Sequence, residues 1–236
     1  MRGRRSWGMA TKTNNLSMWK NFQATVINCR KCPRLVAHRE TVPARPLYQH
    51  QKYWRKPLPG FGDQQAWLLI TGLAPAGDGG NRTGRVFTGD ATARFLVKAL
   101  HAQGWANQPI SESLDDGLIL KDCYLTAAVK CFPPKHKPTR QECVNCHPYY
   151  MQEIEMLFKL RVILVLGKLA FDAFLLALKK KGLSTKGIKF KHGAFYRLEN
   201  GLKLYCSYHP TPRNVNTGTL TEKMFYDLLE EIKKAK

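Results

Sequence analysis

The sequence predicts an α/β fold with a central, mainly parallel sheet and helices on both of its faces. Two observations carry that prediction. Short runs such as Trp67-Leu68-Leu69-Ile70 and Val162-Ile163-Leu164-Val165-Leu166 are apolar at every position rather than at alternate ones, the pattern of strands covered on both faces. These runs alternate with segments of helical periodicity, the order that builds parallel sheets through crossover connections. Ligands of such sheets bind where loops leave the carboxyl ends of the strands. The loops 72–90, 130–138 and 209–218 are therefore expected to converge on one site.

At 236 residues the chain suits one domain. Residues 1–18 are basic and polar and read as a flexible arm, leaving 19–236 as the domain. A helix is expected from Trp19 to Arg34, running into Cys29-Arg30-Lys31-Cys32-Pro33. The stretch 41–66 holds Pro43, Pro46, Pro57 and Pro59 among Tyr48, Tyr53 and Trp54, and reads as an extended surface segment. A strand follows at 66–73. From Ala91 to Gln103, Phe95, Leu96, Ala99 and Leu100 share one helical face, with Asp90 at the N-cap. Further strands are expected at 123–129 and 162–166, and helices at 140–159 and 168–180. Residues 190–192 and 195–198 look like a hairpin, 203–208 like a strand leading into His209-Pro210, and 221–234 like the last helix.

The charge narrows the function. Thirty-eight Lys and Arg against 17 Asp and Glu give a net charge of +21 and a pI near 9.9. Such an excess points to a polyanionic partner, and nucleic acid is the default because neutralising phosphates releases condensed counterions. A solvated basic face accounts only for local runs such as Lys179-Lys180-Lys181. No apolar run is long enough to span a membrane. The start has no apolar core of a secretory signal, although its arginines and lack of acids give it some organelle-presequence character. A monomer in a reducing, cytoplasmic setting is expected, and there the seven cysteines more often hold metal than form disulfides.

Cys29 and Cys32 form a C-x2-C turn that points both sulfurs at one metal or cluster. Their partners are either Cys143 with Cys146, as in a zinc ribbon, or Cys131 with Cys146. Cys123 and Cys206 read as buried strand thiols. The loop 72–90, GLAPAGDGGNRTGRVFTGD, has six glycines that let backbone approach a ligand. Its Arg82 and Arg85 could meet phosphate, and Phe87 offers a face for a base. It lacks the Lys-Ser/Thr ending of a phosphate-cradling P-loop, which excludes that route to triphosphate chemistry. The second loop, HPTPRN at 209–214, puts a histidine at a strand end between prolines, a rigid mount for a hydrogen-bond donor.

Together these loops resemble the uracil-DNA glycosylase superfamily, and within it family five, the UDGb type. The similar segments are GLAPA and GGNRTGR-FTGD within 72–90, PGFGD at 59–63, KC-PP and KP within 130–138, and HPTPRNVNTG at 209–218. The resemblance implies a three-layer α/β/α sandwich that everts a damaged nucleotide from duplex DNA, or from a single strand, and leaves an abasic site. It implies a 4Fe-4S cluster on Cys29, Cys32, Cys131 and Cys146, with Cys143 an extra thiol. Phe87 would stack on the base, beside the backbone of Gly72, Ala74 and Ala76, while His209 would donate a hydrogen bond to the departing base. Ala76 stands where most relatives outside family five place Asn or Asp for water. Asp90, or its rival Asp78, would take that part. Ala127 stands where family-four enzymes carry an Asn that reads uracil, which implies relaxed specificity towards hypoxanthine and xanthine. His136 stands where the family more often has Asn. Arg213 and Asn214 would enter the minor groove, with Arg82 and Arg85 on phosphates. The competing reading is a non-catalytic nucleic-acid-binding module with a structural zinc or iron–sulfur site, which leaves the two loops without a purpose.

Overall fold

The structure, a computed structural model, describes residues 12–236. Residues 1–11 of the expected arm lie outside the described residues. The remainder of that arm, from Lys12, is helical.

Two helices replace the single one expected at 19–34: α1 (Lys12–Ile27) and α2 (Pro33–Thr41). Pro33 explains the break. It has no N–H to give a preceding turn but suits a first helical position, so the chain stops, makes the Cys29–Cys32 turn and starts again. The proline-rich stretch then contributes a strand that its composition hid, β1 (Phe61–Gly62). Beyond it come β2 (Leu68–Gly72), a one-turn helix α3 (Gly80–Thr83) inside the glycine loop, and α4 (Ala91–Ala102). The remaining elements are β3 (Cys123–Ala127), α5 (Arg140–Met156), β4 (Val162–Leu166), α6 (Lys168–Lys180), β5 (Phe195–Arg197), β6 (Lys203–Ser207), α7 (Pro212–Asn216) and α8 (Glu222–Lys234). The expected hairpin strand at 190–192 does not form. The hairpin is instead β5 against β6, antiparallel, with Phe195 opposite Tyr205.

The six strands lie in the order β1-β3-β2-β4-β6-β5. The four inner strands are parallel and the two edges antiparallel. Alternate residues of each inner strand supply opposite layers, as the pleat requires. Leu68, Ile70, Val162, Leu164 and Tyr205 pack with Leu96 and Leu100 of α4 and Phe225, Leu229 and Ile232 of α8. Leu69, Ile163, Val165, Leu204 and Cys206 pack with Trp19 and Phe22 of α1, Tyr150 and Ile154 of α5, and Phe171 and Phe174 of α6. The result is three layers with two apolar seams. A third, small cluster joins Leu35, Val129, Cys131 and Cys146 with Ala74 and Cys32 against it.

Register decides where function can sit. Gly72 pairs with Ala127 on one side, Thr71 with Val165 on the other, and Leu166 with Ser207 beyond. The loops that follow these four strands therefore leave the same edge of the sheet. The order of the strands reverses there, since β3 is added on one flank of β2 and β4 on the other, and sheets of this kind bind ligands at such a switch point. Among the described residues no helix is long and apolar enough to cross a membrane.

Candidate active site

Each side chain of interest at this edge rests on a glycine that leaves room for it. A Cβ on Gly72 would lie 2.9 Å from Cζ of Phe87, so the ring covers the end of β2. A Cβ on Gly167, the residue after β4, would lie 3.0 Å from the Cβ of His209. Gly167 also has a φ of +87°, a region that L side chains rarely adopt. Since β2 and β4 are neighbours in register, Phe87 and His209 stand over adjacent strand ends. Gly79 lies beneath the Asp90 carboxylate in the same way, and Gly77 beneath Phe132, whose ring a Cβ there would approach to 3.0 Å. Phe87 itself has a φ of +50°, a local strain of the kind functional sites retain.

His209 is held by its own loop. Its carbonyl accepts from the Thr211 amide at 2.8 Å and from the Asn214 side chain at 2.8 Å, while the Thr211 hydroxyl caps α7 by accepting from the Asn214 amide. The half-buried ring keeps its Nδ1 away from solvent with no hydrogen-bond partner. Burial lowers its pKa to about 4, so the ring is neutral at physiological pH.

Asp90 caps α4, accepting from the Ala93 amide at 2.8 Å through one oxygen. The other oxygen lies over Gly79. Burial pushes this carboxyl's pKa up, against the lowering pull of the Ala93 and Thr92 amides and of Arg94 and Arg82. Asp78 is occupied otherwise. It pairs with Arg45 at 2.6 Å and accepts from the Tyr53 hydroxyl at 3.1 Å, ties that anchor the loop to the segment before β1.

The arginines of the glycine loop correct an expectation. Arg82 donates to the Asp78 and Gly89 carbonyls and to Gln51, and stacks over Tyr48 with 4.0 Å to the ring centre. Arg85 pairs with Asp116 at 2.7 Å and donates to Thr88 and Ser111. Both guanidiniums are buried and act as internal cross-links, so neither faces a phosphate. Asn214 likewise turns inward to His209 rather than outward. Arg213 is exposed on α7 beside the site and is the arginine of the set free to meet DNA. His136 is exposed, in a left-handed turn with Lys135 (φ +56° and +53°), its ring 5.4 Å from that of Phe132. It adjoins the glycine loop through Phe132. Ala74 and Ala76 line the loop between β2 and α3, and Ala74 packs on the cysteine cluster.

That cluster gathers the expected thiols. Cys29, Cys32, Cys131 and Cys146 line one cavity, and the other lining residues include Lys31, Arg39 and Lys130 but no carboxylate. Arg39 reaches Cys131 at 3.1 Å, the Lys130 amide reaches Cys146 at 3.4 Å, and the Asn145 side chain reaches Cys32 at 3.4 Å. Tyr149 lines the same cavity beside Cys29. Cys143 lies outside this cavity, in the groove lined by Leu73, Pro138 and Leu169. Among the described residues no three His, Cys, Asp or Glu converge on a point where a single ion would sit. The Lys130 ammonium is turned away to Glu153, a buried pair at 2.5 Å, and Glu153 also accepts from the Gly60 amide and the Thr126 hydroxyl. This pair fastens the PGFGD segment to the end of β3.

The fold is a three-layer α/β sandwich that sets a histidine and an aromatic ring over neighbouring strand ends, at the switch point where such sheets bind their ligands. The chain belongs to the uracil DNA glycosylase superfamily, whose family model matches residues 59–233. More particularly, it is 45% identical over 214 residues to a type-5 uracil-DNA glycosylase of Thermus thermophilus, covering 90% of this chain and 96% of the relative. It is 44% identical over 211 residues to the type-5 enzyme of Pyrobaculum aerophilum, covering 89% and 90% of the two chains. A type-4 uracil-DNA glycosylase of the latter organism is 28% identical over 186 residues, 78% of each chain.

Sequence reasoning missed Gly167 and Phe132. Gly167 had a signal, a glycine directly after an apolar strand where such sheets bind ligands. Phe132 had none, since its place over Gly77 is a long-range contact.

Proposed function

We propose that the chain hydrolyses the N-glycosidic bond of uracil in DNA and leaves an abasic site. The observation that carries this reading is the placement of a rigidly mounted His209 over Gly167 and of Phe87 over Gly72, at the ends of neighbouring strands. An everted base would lie on the Phe87 ring. As the bond to the sugar breaks, negative charge moves onto the base, and a preorganised donor aimed at its oxygen stabilises that charge more than it stabilises the bound substrate. A neutral imidazole suits the task because it donates one hydrogen bond without needing a proton from solvent. Asp90 would orient the attacking water and face the cationic sugar, with Ala76 leaving the space open. Ala127 at the end of β3 offers no side-chain hydrogen bond to read a base, which supports acceptance of hypoxanthine and xanthine as well. Action on chromosomal DNA in a cytosol agrees with the bacterial and archaeal relatives.

The test is a labelled duplex with one uracil, incubated with the protein and then treated with alkali. A nick at the uracil is expected, with none before alkali because the sequence motifs place no lysine for Schiff-base chemistry. Binding without a nick would return the chain to the class of binding modules. Arg213→Ala should lower the slope of log affinity against log salt by about 1, and an unchanged slope would remove that residue from the DNA face.

The cysteine cavity supports a 4Fe-4S cluster on Cys29, Cys32, Cys131 and Cys146. Four thiols lining one cavity with Lys31 and Arg39, and with no carboxylate among the lining residues, suit an anionic group. When bound, a cluster would cross-link the Cys29–Cys32 turn, the end of β3 and α5. Anaerobically purified protein should be brown and contain about four irons and four sulfides per chain. A colourless protein with stoichiometric zinc would overturn the assignment.

A further inference from the structure

We propose that Arg39 is a positioning residue that ties the four-thiol cavity to the glycine loop carrying Ala76, Phe87 and Asp90. Its side chain is buried and serves several segments at once. One nitrogen donates to the Cys131 sulfur at 3.1 Å, and two reach the Cys29 carbonyl at 3.4 Å. Nε donates to the Arg55 carbonyl at 3.1 Å. It meets the Glu40 carboxylate at 3.3 Å, which Arg30 shares at 2.7 Å. A guanidinium with five donors in a rigid fork can hold several acceptors in fixed relation, and an ammonium cannot.

The second half of the link runs through the backbone. The Arg39 carbonyl accepts from the side chain of Asn81 at 3.3 Å. Asn81 is wholly buried, its amide donates to the Ala76 carbonyl at 3.0 Å, and its carbonyl accepts from the Arg55 amide at 3.0 Å. Asn81 sits in α3, next to Arg82, which holds the Gly89 carbonyl at 2.9 Å just before Asp90. Hydrogen bonds and covalent backbone thus alternate along a path from a cavity sulfur to Ala76 and to Gly89. Small displacements matter there, since misplacing a reacting group by about 1 Å can lower a rate by about 100-fold.

The effect on catalysis rests on the glycosylase reading, whereas the structural link does not. The experiment therefore has two arms, both on the full-length, iron-loaded protein. Arg39→Lys keeps the charge and loses the fork. It should retain iron at the wild-type ratio while amides of 79–90 exchange hydrogen faster by about tenfold. In single-turnover assays on uracil duplex its rate should fall by about tenfold with DNA affinity unchanged, a split that general destabilisation does not produce. Asn81→Ala cuts only the link to the Arg39 carbonyl, and should speed exchange in the same loop without altering the visible spectrum. Wild-type exchange across 79–90 in iron-retaining Arg39→Lys overturns the proposal. Should that variant lose its iron or fail to fold, unchanged exchange in Asn81→Ala overturns it instead. A wild-type protein that leaves uracil uncut defeats the functional reading and leaves the exchange arm decisive.

Discussion

Replacing His209 with alanine is expected to lower the single-turnover rate on uracil duplex by about 10²–10³, the loss typical of removing one preorganised donor. Binding of abasic product DNA should change little, because the donor acts on charge that exists only as the base departs. Thr211 and Asn214 hold the His209 carbonyl, so the backbone keeps its shape when the ring is removed, and rate loss reports the ring rather than a collapsed loop. Gly167→Ala offers an independent check. Its Cβ would approach that of His209 to 3.0 Å, at a φ of +87°, which displaces the imidazole without removing it. A rate close to wild type in His209→Ala would take this residue out of the reaction.

Much of this was legible in the sequence, and the failures have physical causes. The inner strands announced themselves because burial on both faces leaves no polar position, as in Val162 to Leu166. The Asp90 cap was readable because a cap is local, three residues from the amide it serves. Arg82 and Arg85 misled because their partners are distant. Gln51 precedes Arg82 by 31 positions, and Asp116 follows Arg85 by the same interval, so each charge looked free beside its glycines. β1 was hidden because two residues carry no periodicity, and its neighbour Gly60 is required by a contact no local rule contains. A Cβ there would run into the ring of Tyr124. The cysteines stood between these cases. Spacing identified the Cys29–Cys32 turn, while the choice between Cys131 and Cys143 depended on which thiol the fold turns into the cavity. The structure turns Cys131 inward and leaves Cys143 in a separate groove.

Asp90 supplies the second large effect and the sharper test, because one substitution separates its two jobs. Asn caps a helix about as well as Asp, so Asp90→Asn should keep α4 intact and melt within about 1 kcal/mol of wild type. It cannot accept a proton from water or face a cationic sugar with negative charge, and its rate should fall by about 10²–10⁴. Asp90→Ala should lose the same rate and also about 1 kcal/mol of stability with the cap. The pH profile carries the sign. Burial raises the Asp90 pKa, so the folded state binds this proton more tightly than the unfolded chain does. The group thus favours folding at low pH, and that contribution fades as pH rises through the folded value. Activity runs the other way, since the base must be ionised, and it should climb with pH through the same raised pKa. Burial lowers the His209 pKa to about 4, so the ring adds no competing limb near neutrality. In Asp90→Asn the acid limb should vanish along with most of the rate. A variant that keeps the wild-type limb would show that another group titrates, and Asp78, freed from Arg45, would be the one to replace next.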